Sequence, residues 1–192
     1  MIIHVSSPEE RSINRWLGGT TTELYIHPKS ATYAKKDFDF RISIATVEVE
    51  ESIFTPLPEV SRTTLVLEGE TILTHEEHHS KQLKKFDSDM YDGSWNTSSL
   101  GMSTNFNLMT RGKVSSTIKH RVLEEKEFFE LNPKGKDVMQ FIYIYTGEVL
   151  LSNEKLMQSL SAGSLVSFES FSEKMSLEAK CTIELLIIDL IL

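Results

Sequence analysis

Cysteine is almost absent from this sequence. One thiol, Cys181, occurs in 192 residues. That count excludes an intrachain disulfide and a paired-cysteine zinc site, and it points to a reducing compartment. Basic charge is also scarce, with 20 Lys and Arg against 28 Asp and Glu and a formal charge of −8. Nucleic acid and anionic membranes reward a clustered basic surface, so neither is expected as a partner. The most basic run, KQLKK (Lys81–Lys85), is short and is followed by Asp87 and Asp89, as on a solvated face. No run approaches the roughly 20 apolar residues that cross a bilayer. The closing IELLIIDLIL (Ile183–Leu192) contains Asp189 and reads as a buried final strand, with Cys181 beside it as a buried, inert thiol. The opening MIIHVSSPEERS turns polar early, so no secretory leader is expected. A Gly-x-Ser-x-Gly elbow, a P-loop and a dinucleotide fingerprint are all missing.

What is present is mostly period two. FDFRISIATVEV (Phe38–Val49) alternates cleanly, with Phe38, Phe40, Ile42 and Ile44 on one face and Asp39, Arg41, Ser43 and Ala45 on the other. TTLVLEGETILT (Thr63–Thr74) and MQFIYIYTGEVLLS (Met139–Ser152) each read as strand, tight turn, strand. Helical patterns are few; EEKEFFEL (Glu124–Leu131) fits two helical turns or a strand edge. Short β-branched and aromatic runs separated by turns define an all-β sandwich or barrel.

The sequence also repeats itself. With Gly69 set over Gly147, TLVLEGETILTHEEHHSKQL lies over FIYIYTGEVLLSNEKLMQSL. Each copy then continues through a turn into another strand. A spacing of roughly 80 residues predicts two related β units. The boundary is expected near TRGKVSS (Thr110–Ser116), giving domains of 1–112 and 113–192, with strands free to be shared between them.

Chemistry concentrates in the first half. In RWLGGTTTELYIHP (residues 15–28) the glycines permit close backbone approach. The following strand puts Thr20, Thr22 and Leu24 on one side and Thr21, Glu23 and Tyr25 on the other. A plain Gly-Gly turn with β-favouring threonines is the simpler reading. Trp16 serves as a core anchor or as the floor of a pocket. Arg41 lies mid-strand beside the small Ser43 and Ala45. If that face is interior, the guanidinium needs a carboxylate, either Glu23 or a ligand. If it faces solvent, Arg41 makes a surface pair.

Asp87, Asp89 and Asp92 lack the spacing of a calcium loop and are expected in turns. His75, His78 and His79 fall at a hairpin tip, where exposure and the lack of a converging fourth ligand argue against a metal. No metal and no cofactor are therefore expected.

The ordered set GGTTTE, RISIA, SIFTPLPEVSR, FDSD and FNLMTRG, from about Trp16 to Gly112, resembles the HutD family, which includes the bacterial Ves proteins. The resemblance implies a cytoplasmic bacterial protein built as a bicupin, two RmlC-like jelly-roll barrels in one chain without the usual cupin metal histidines. It implies association with histidine utilisation and binding of a small acid such as formylglutamate. It also carries over Trp16, Thr20, Glu23, Arg41, Ser43, Arg62, Asn107 and Arg111 as pocket positions. Two departures stand out: Asn105 where relatives commonly have aspartate, and Ser88 where they commonly have glycine.

The expectation is thus a metal-independent binder of a small carboxylate, with a regulatory or accessory role in histidine utilisation or stress. Arg41, helped by Arg62 or Arg111, would hold the carboxylate, and the Thr20 and Thr22 hydroxyls would take its other polar atoms. The alternative is a metal-free enzyme acting on a small acid or sugar derivative with Glu23 as general base. An adjacent Arg41 works against that role. A homodimer is left open.

Overall fold

The computed structural model describes residues 2–132, 134–169 and 173–192. Its first strands are β1 (Ile2–Ser6), β2 (Ile13–Trp16), β3 (Gly19–His27), β4 (Phe40–Val47), β5 (Glu51–Phe54), β6 (Val60–Gly69), β7 (Thr71–His75), β8 (His79–Leu83), β9 (Ser88–Asp92), β10 (Thr97–Leu100) and β11 (Ser103–Arg111). Then follow β12 (Ser115–Leu123), β13 (Phe128–Leu131), β14 (Val138–Thr146), β15 (Glu148–Ser152), β16 (Met157–Ser161), β17 (Leu165–Glu169), β18 (Met175–Ala179) and β19 (Ile183–Ile191). A 3₁₀ turn covers Pro8–Glu10, and no α-helix occurs among the described residues. None of their helices is long and apolar enough to cross a membrane. The protein is all-β, as the alternation requires.

Two units result. One is Arg11–Val114; the other joins Met1–Glu10 to Ser115–Leu192. Residues before Arg11 fall with the second unit because β1 pairs antiparallel with β17; a division at 112/113 places them with the first. Arg11–Val114 holds a six-stranded sheet, β2-β3-β4-β11-β6-β9, and a four-stranded sheet, β5-β10-β7-β8. The other unit holds β1-β17-β14-β19-β12 and β13-β18-β15-β16. The four-stranded sheets have matching strand order, so the internal repeat is a repeat of topology.

The repeat is anchored at its glycines. Gly69 and Gly147 close the β6–β7 and β14–β15 turns with φ of 76° and 81°, a left-handed backbone that disfavours any residue with a Cβ.

The unit containing β12–β19 is filled by aliphatic and aromatic side chains, among them Ile142, Ile144, Leu151, Val166, Phe168, Leu177 and Leu185. Full burial of each such side chain contributes about 1.5–3 kcal/mol. In Arg11–Val114, Val66, Leu73, Leu83 and Tyr91 bring the two sheets together, with Phe54 and Trp95 against them. A second cluster of Ile26, Ala31, Phe38, Leu57, Val60 and Met109 seats the 28–38 and 55–59 connections on the six-stranded sheet.

One expectation changes. Cys181 is exposed, because the last strand starts at Ile183 and the thiol sits in the bend before it. Of the two readings of Glu124–Leu131, the strand holds: a turn, with the Glu127 N–H donating to the Glu124 carbonyl, leads into β13.

Candidate functional site

The six-stranded sheet of Arg11–Val114 turns a polar face toward the four-stranded sheet. Cross-strand partners share a face, and the register defines two adjacent rungs. One runs Glu23, Ser43, Asn107, Thr64, Asp89 through β3, β4, β11, β6 and β9; the other runs Ile26, Arg41, Met109, Arg62, Tyr91. Apolar members of the same columns, Val66 and Tyr91, belong to the cluster that contains Leu73 and Leu83 of the opposite sheet. This face is therefore interior, and Arg41 on it is 5% exposed.

A guanidinium this buried must be paired. Arg41 donates from Nε to Glu23 Oε2 at 2.8 Å and from Nη1 to Ser43 Oγ at 3.2 Å. Its Cζ lies 4.4 Å from the centre of the Tyr33 ring, a cation–π contact supplied by the 28–38 connection. Nη2 has no hydrogen-bond partner among the described residues. Glu23 is the rim of the arrangement, its side chain 34% exposed.

Along the same rung, Thr64 Oγ1 donates to Asn107 Oδ1 at 3.1 Å and lies 3.4 Å from the Tyr91 hydroxyl. Burial pushes the Tyr91 phenol above its ordinary pKa of 10.0. Asn105, one position further along β11, donates to Ser103 Oγ at 3.0 Å, yet its buried Oδ1 has no partner. The departure from aspartate thus places a neutral amide with an unmet acceptor inside the unit.

The structure brings Glu23, Arg41, Ser43 and Asn107 together, with Arg62 in the neighbouring rung. Arg62 donates from Nη1 to the Thr55 carbonyl at 3.3 Å and stands over the Phe54 and Tyr91 rings. It does not bring Thr20 and Thr22 to them. These pair with Thr46 and Ile44, on the opposite face from Glu23, so their hydroxyls point away from the Arg41 guanidinium. Trp16 lies outside, 39% exposed, its Nε1 donating to Thr21 Oγ1 at 3.2 Å. Arg111 is engaged with Glu59 at 2.7 Å and with the Lys36 carbonyl. The Gly-Gly turn also has a structural cause: a Cβ at Gly19 would collide with the Thr46 carbonyl oxygen.

The histidine and aspartate readings need correction. His75 is not at an exposed tip; it is the last residue of β7, 2% exposed, continuing the inward alternation of Thr71 and Leu73. Asp89 is not in a turn but in β9, pointing inward. Its Oδ2 lies 3.2 Å from His75 Nε2 and 2.8 Å from His79 Nε2. Burial holds the His75 pKa below the usual 6.5 although Asp89 pulls the other way. His78 stacks on Trp95 with ring centres 3.7 Å apart. Asp87 and Asp92 do serve turns, accepting from the Lys84 and Ser94 N–H groups respectively; hydrogen bonds from the Ser94 side chain and backbone depress the Asp92 pKa.

A cleft of about 520 Å³ lies elsewhere, lined by Glu130, Ser152–Lys155 and Glu173–Ser176. Both of its lysines are spent on its own acids, Lys155 on Glu173 at 3.1 Å and Lys174 on Glu130 at 3.8 Å. The Arg41 face, where the buried guanidinium keeps Nη2 unspent, is the better candidate for an anion.

This fold recurs in solved structures. PA5104 from Pseudomonas aeruginosa PAO1, a conserved protein of unknown function, aligns over the whole of both chains at 17% identity with a TM-score of 0.84. The bacterial pirin YhhW from Escherichia coli, solved with nickel(II), aligns over 99% of each chain at 11% identity with a TM-score of 0.76. HutD from Pseudomonas fluorescens SBW25, in a formate condition, covers 97% of this chain and 98% of its own at 17% identity, with a TM-score of 0.71. At such identities the likeness establishes the fold, and that fold is cupin-like. No curated protein matches the sequence. The HutD family model matches residues 9–187, and the chain belongs to the HutD family.

Proposed function

We propose that this protein binds a small carboxylate metabolite of the formylglutamate type at the Arg41 face, and that the binding serves a regulatory or accessory role in histidine utilisation. Each unit is read as an RmlC-like jelly roll, the chain as a bicupin, and Arg11–Val114 as the ligand-carrying half. One observation carries the reading: a buried arginine inside the unit gives Nε to Glu23 and Nη1 to Ser43 and keeps Nη2 unspent. A carboxylate oxygen is a strong acceptor for the remaining guanidinium N–H groups. Asn107 and the unmet Asn105 Oδ1 supply polar groups along the same strand, the latter an acceptor for a ligand N–H. In a desolvated site each charged hydrogen bond is worth about 1.5–3 kcal/mol.

The Arg41 site needs no metal to hold an anion. Glu23 accepts from Arg41 through Oε2, so this reading gives it the role of the arginine's partner rather than of a general base.

Thermal unfolding with formylglutamate, formate, glutamate and urocanate tests this. Ligand at 100 times its Kd adds about 2.7 kcal/mol, which raises the midpoint by roughly 5–10 °C for a chain of this size. The increase is expected for the wild type and lost in Arg41→Ala. No increase with any of the four acids, or one that survives Arg41→Ala, overturns the reading.

A further inference from the structure

We infer that His75, His79 and Asp89 form a binding site for one divalent transition-metal ion of the zinc class. The three donors come from two sheets. His75 and His79 flank the β7–β8 turn of the four-stranded sheet, and Asp89 stands on β9 of the six-stranded sheet. Their donor atoms all lie within 4.8 Å of one another. The two His–Asp separations, 3.2 and 2.8 Å, fall a few tenths of an ångström inside the ~3.3–3.6 Å that separates neighbouring ligands around a tetrahedral ion bound at about 2.0–2.2 Å, so small side-chain shifts admit it. Two imidazole nitrogens and one carboxylate select a borderline ion over calcium or magnesium, which favour oxygen. Three protein donors leave a position for water.

The surrounding groups orient the donors as a metal requires. His75 Nδ1 lies 2.8 Å from the Thr97 hydroxyl, which holds the ring in place, and its Nε2 faces Asp89 Oδ2 at 3.2 Å. With an ion on Nε2, the Nδ1–H would donate to that hydroxyl. Asp89 Oδ1 is held apart from the donors, accepting the Met90 N–H at 3.1 Å with Lys81 Nζ at 3.9 Å, so Oδ2 alone is aimed at the histidines. Trp95 walls the cluster, its ring edge-on to both His75 and His79. His79, 40% exposed at its side chain, is the approach from solvent.

This site uses none of the residues assigned to the carboxylate, and it stands whether or not that assignment does. The test is calorimetric titration of chelator-stripped full-length protein with Zn²⁺, repeated with Co²⁺ to read its visible absorption. One ion per chain is expected, with a Co²⁺ spectrum of mixed nitrogen and oxygen ligation and a change in Trp95 fluorescence. His79→Ala and Asp89→Asn should each weaken uptake at least tenfold. Thr97→Val, which disturbs only the orienting hydroxyl, should weaken it by roughly 10–100-fold. His78→Ala and Arg41→Ala should leave it unchanged. Should Asp89→Asn fail to fold, His79→Ala carries the test, since its ring is half exposed. Absence of saturable uptake, or uptake equal in wild type and His79→Ala, means an adventitious ion only and overturns the inference.

Discussion

The two units share a strand plan but not an interior. In Arg11–Val114, one rung of the larger sheet reads Ser43, Asn107, Thr64, Asp89. The same positions in the other unit read Lys119, Ile187, Ile142, Val166. The neighbouring rungs read Arg41, Met109, Arg62, Tyr91 and Thr117, Asp189, Gln140, Phe168. In the second unit Gln140 donates to Asp189 at 2.7 Å while its own Oε1 stays without a partner among the described residues, and the next rung is dominated by aliphatic side chains. In the first unit, polar and charged groups occupy the rung that its counterpart gives to isoleucine and valine. Burying such groups costs stability unless each is paired. One copy of the repeat fills this face mainly with apolar side chains; the other fills it with polar and charged ones, and the proposed carboxylate site draws on them.

The largest expected effect lies in the apolar copy. Phe168→Ala should cost about 3–5 kcal/mol in urea unfolding, the usual result of emptying a closed core. Carboxylate affinity of the fraction still folded should be unchanged. A binding loss as large as that of Arg41→Ala would erase the division of labour.

A smaller effect is expected where the polar rung is made to resemble its apolar counterpart. Thr64→Val keeps the shape and removes the hydroxyl that donates to Asn107. It should cost about 1 kcal/mol and weaken the carboxylate, since Asn107 then keeps only its 3.4 Å bond to the Asn105 carbonyl. A stability gain with unaltered binding would show the hydroxyl to be idle.

The smallest effect concerns Tyr91, which stands where the other copy has Phe168. Its phenol titrates above 10.0 when folded because burial disfavours the phenolate. The unfolded chain therefore releases this proton first, and stability should fall as pH rises from about 10 toward the folded value. Tyr91→Phe should flatten that alkaline limb in pH-dependent unfolding. An identical limb in the variant would contradict the assignment.

Much of this plan can be read from the amino-acid sequence. Alternation gives the strands, the Gly69 and Gly147 turns give the repeat, and the small neighbours of Arg41 mark its face as one able to enclose a cation that Glu23 would neutralise. Other features depend on what lies across the interior. His75 and Asp89 are fourteen residues apart and meet because two sheets face each other, which no local pattern encodes. The available signal was the period-two column Thr71, Leu73, His75, extended one position past the point where histidines suggest a turn. Cys181 misleads for the reverse reason: the apolar run beside it begins two residues later than its composition implies. Thr20 and Thr22 separate from Glu23 by strand parity alone.

Calorimetric titration of formylglutamate into the wild type and into Arg41→Ala is the most direct test that the polar interior exists to hold an anion. The account predicts one saturable site per chain in the wild type and no measurable heat in the variant. Equal heats from both proteins, or none from either, would contradict it.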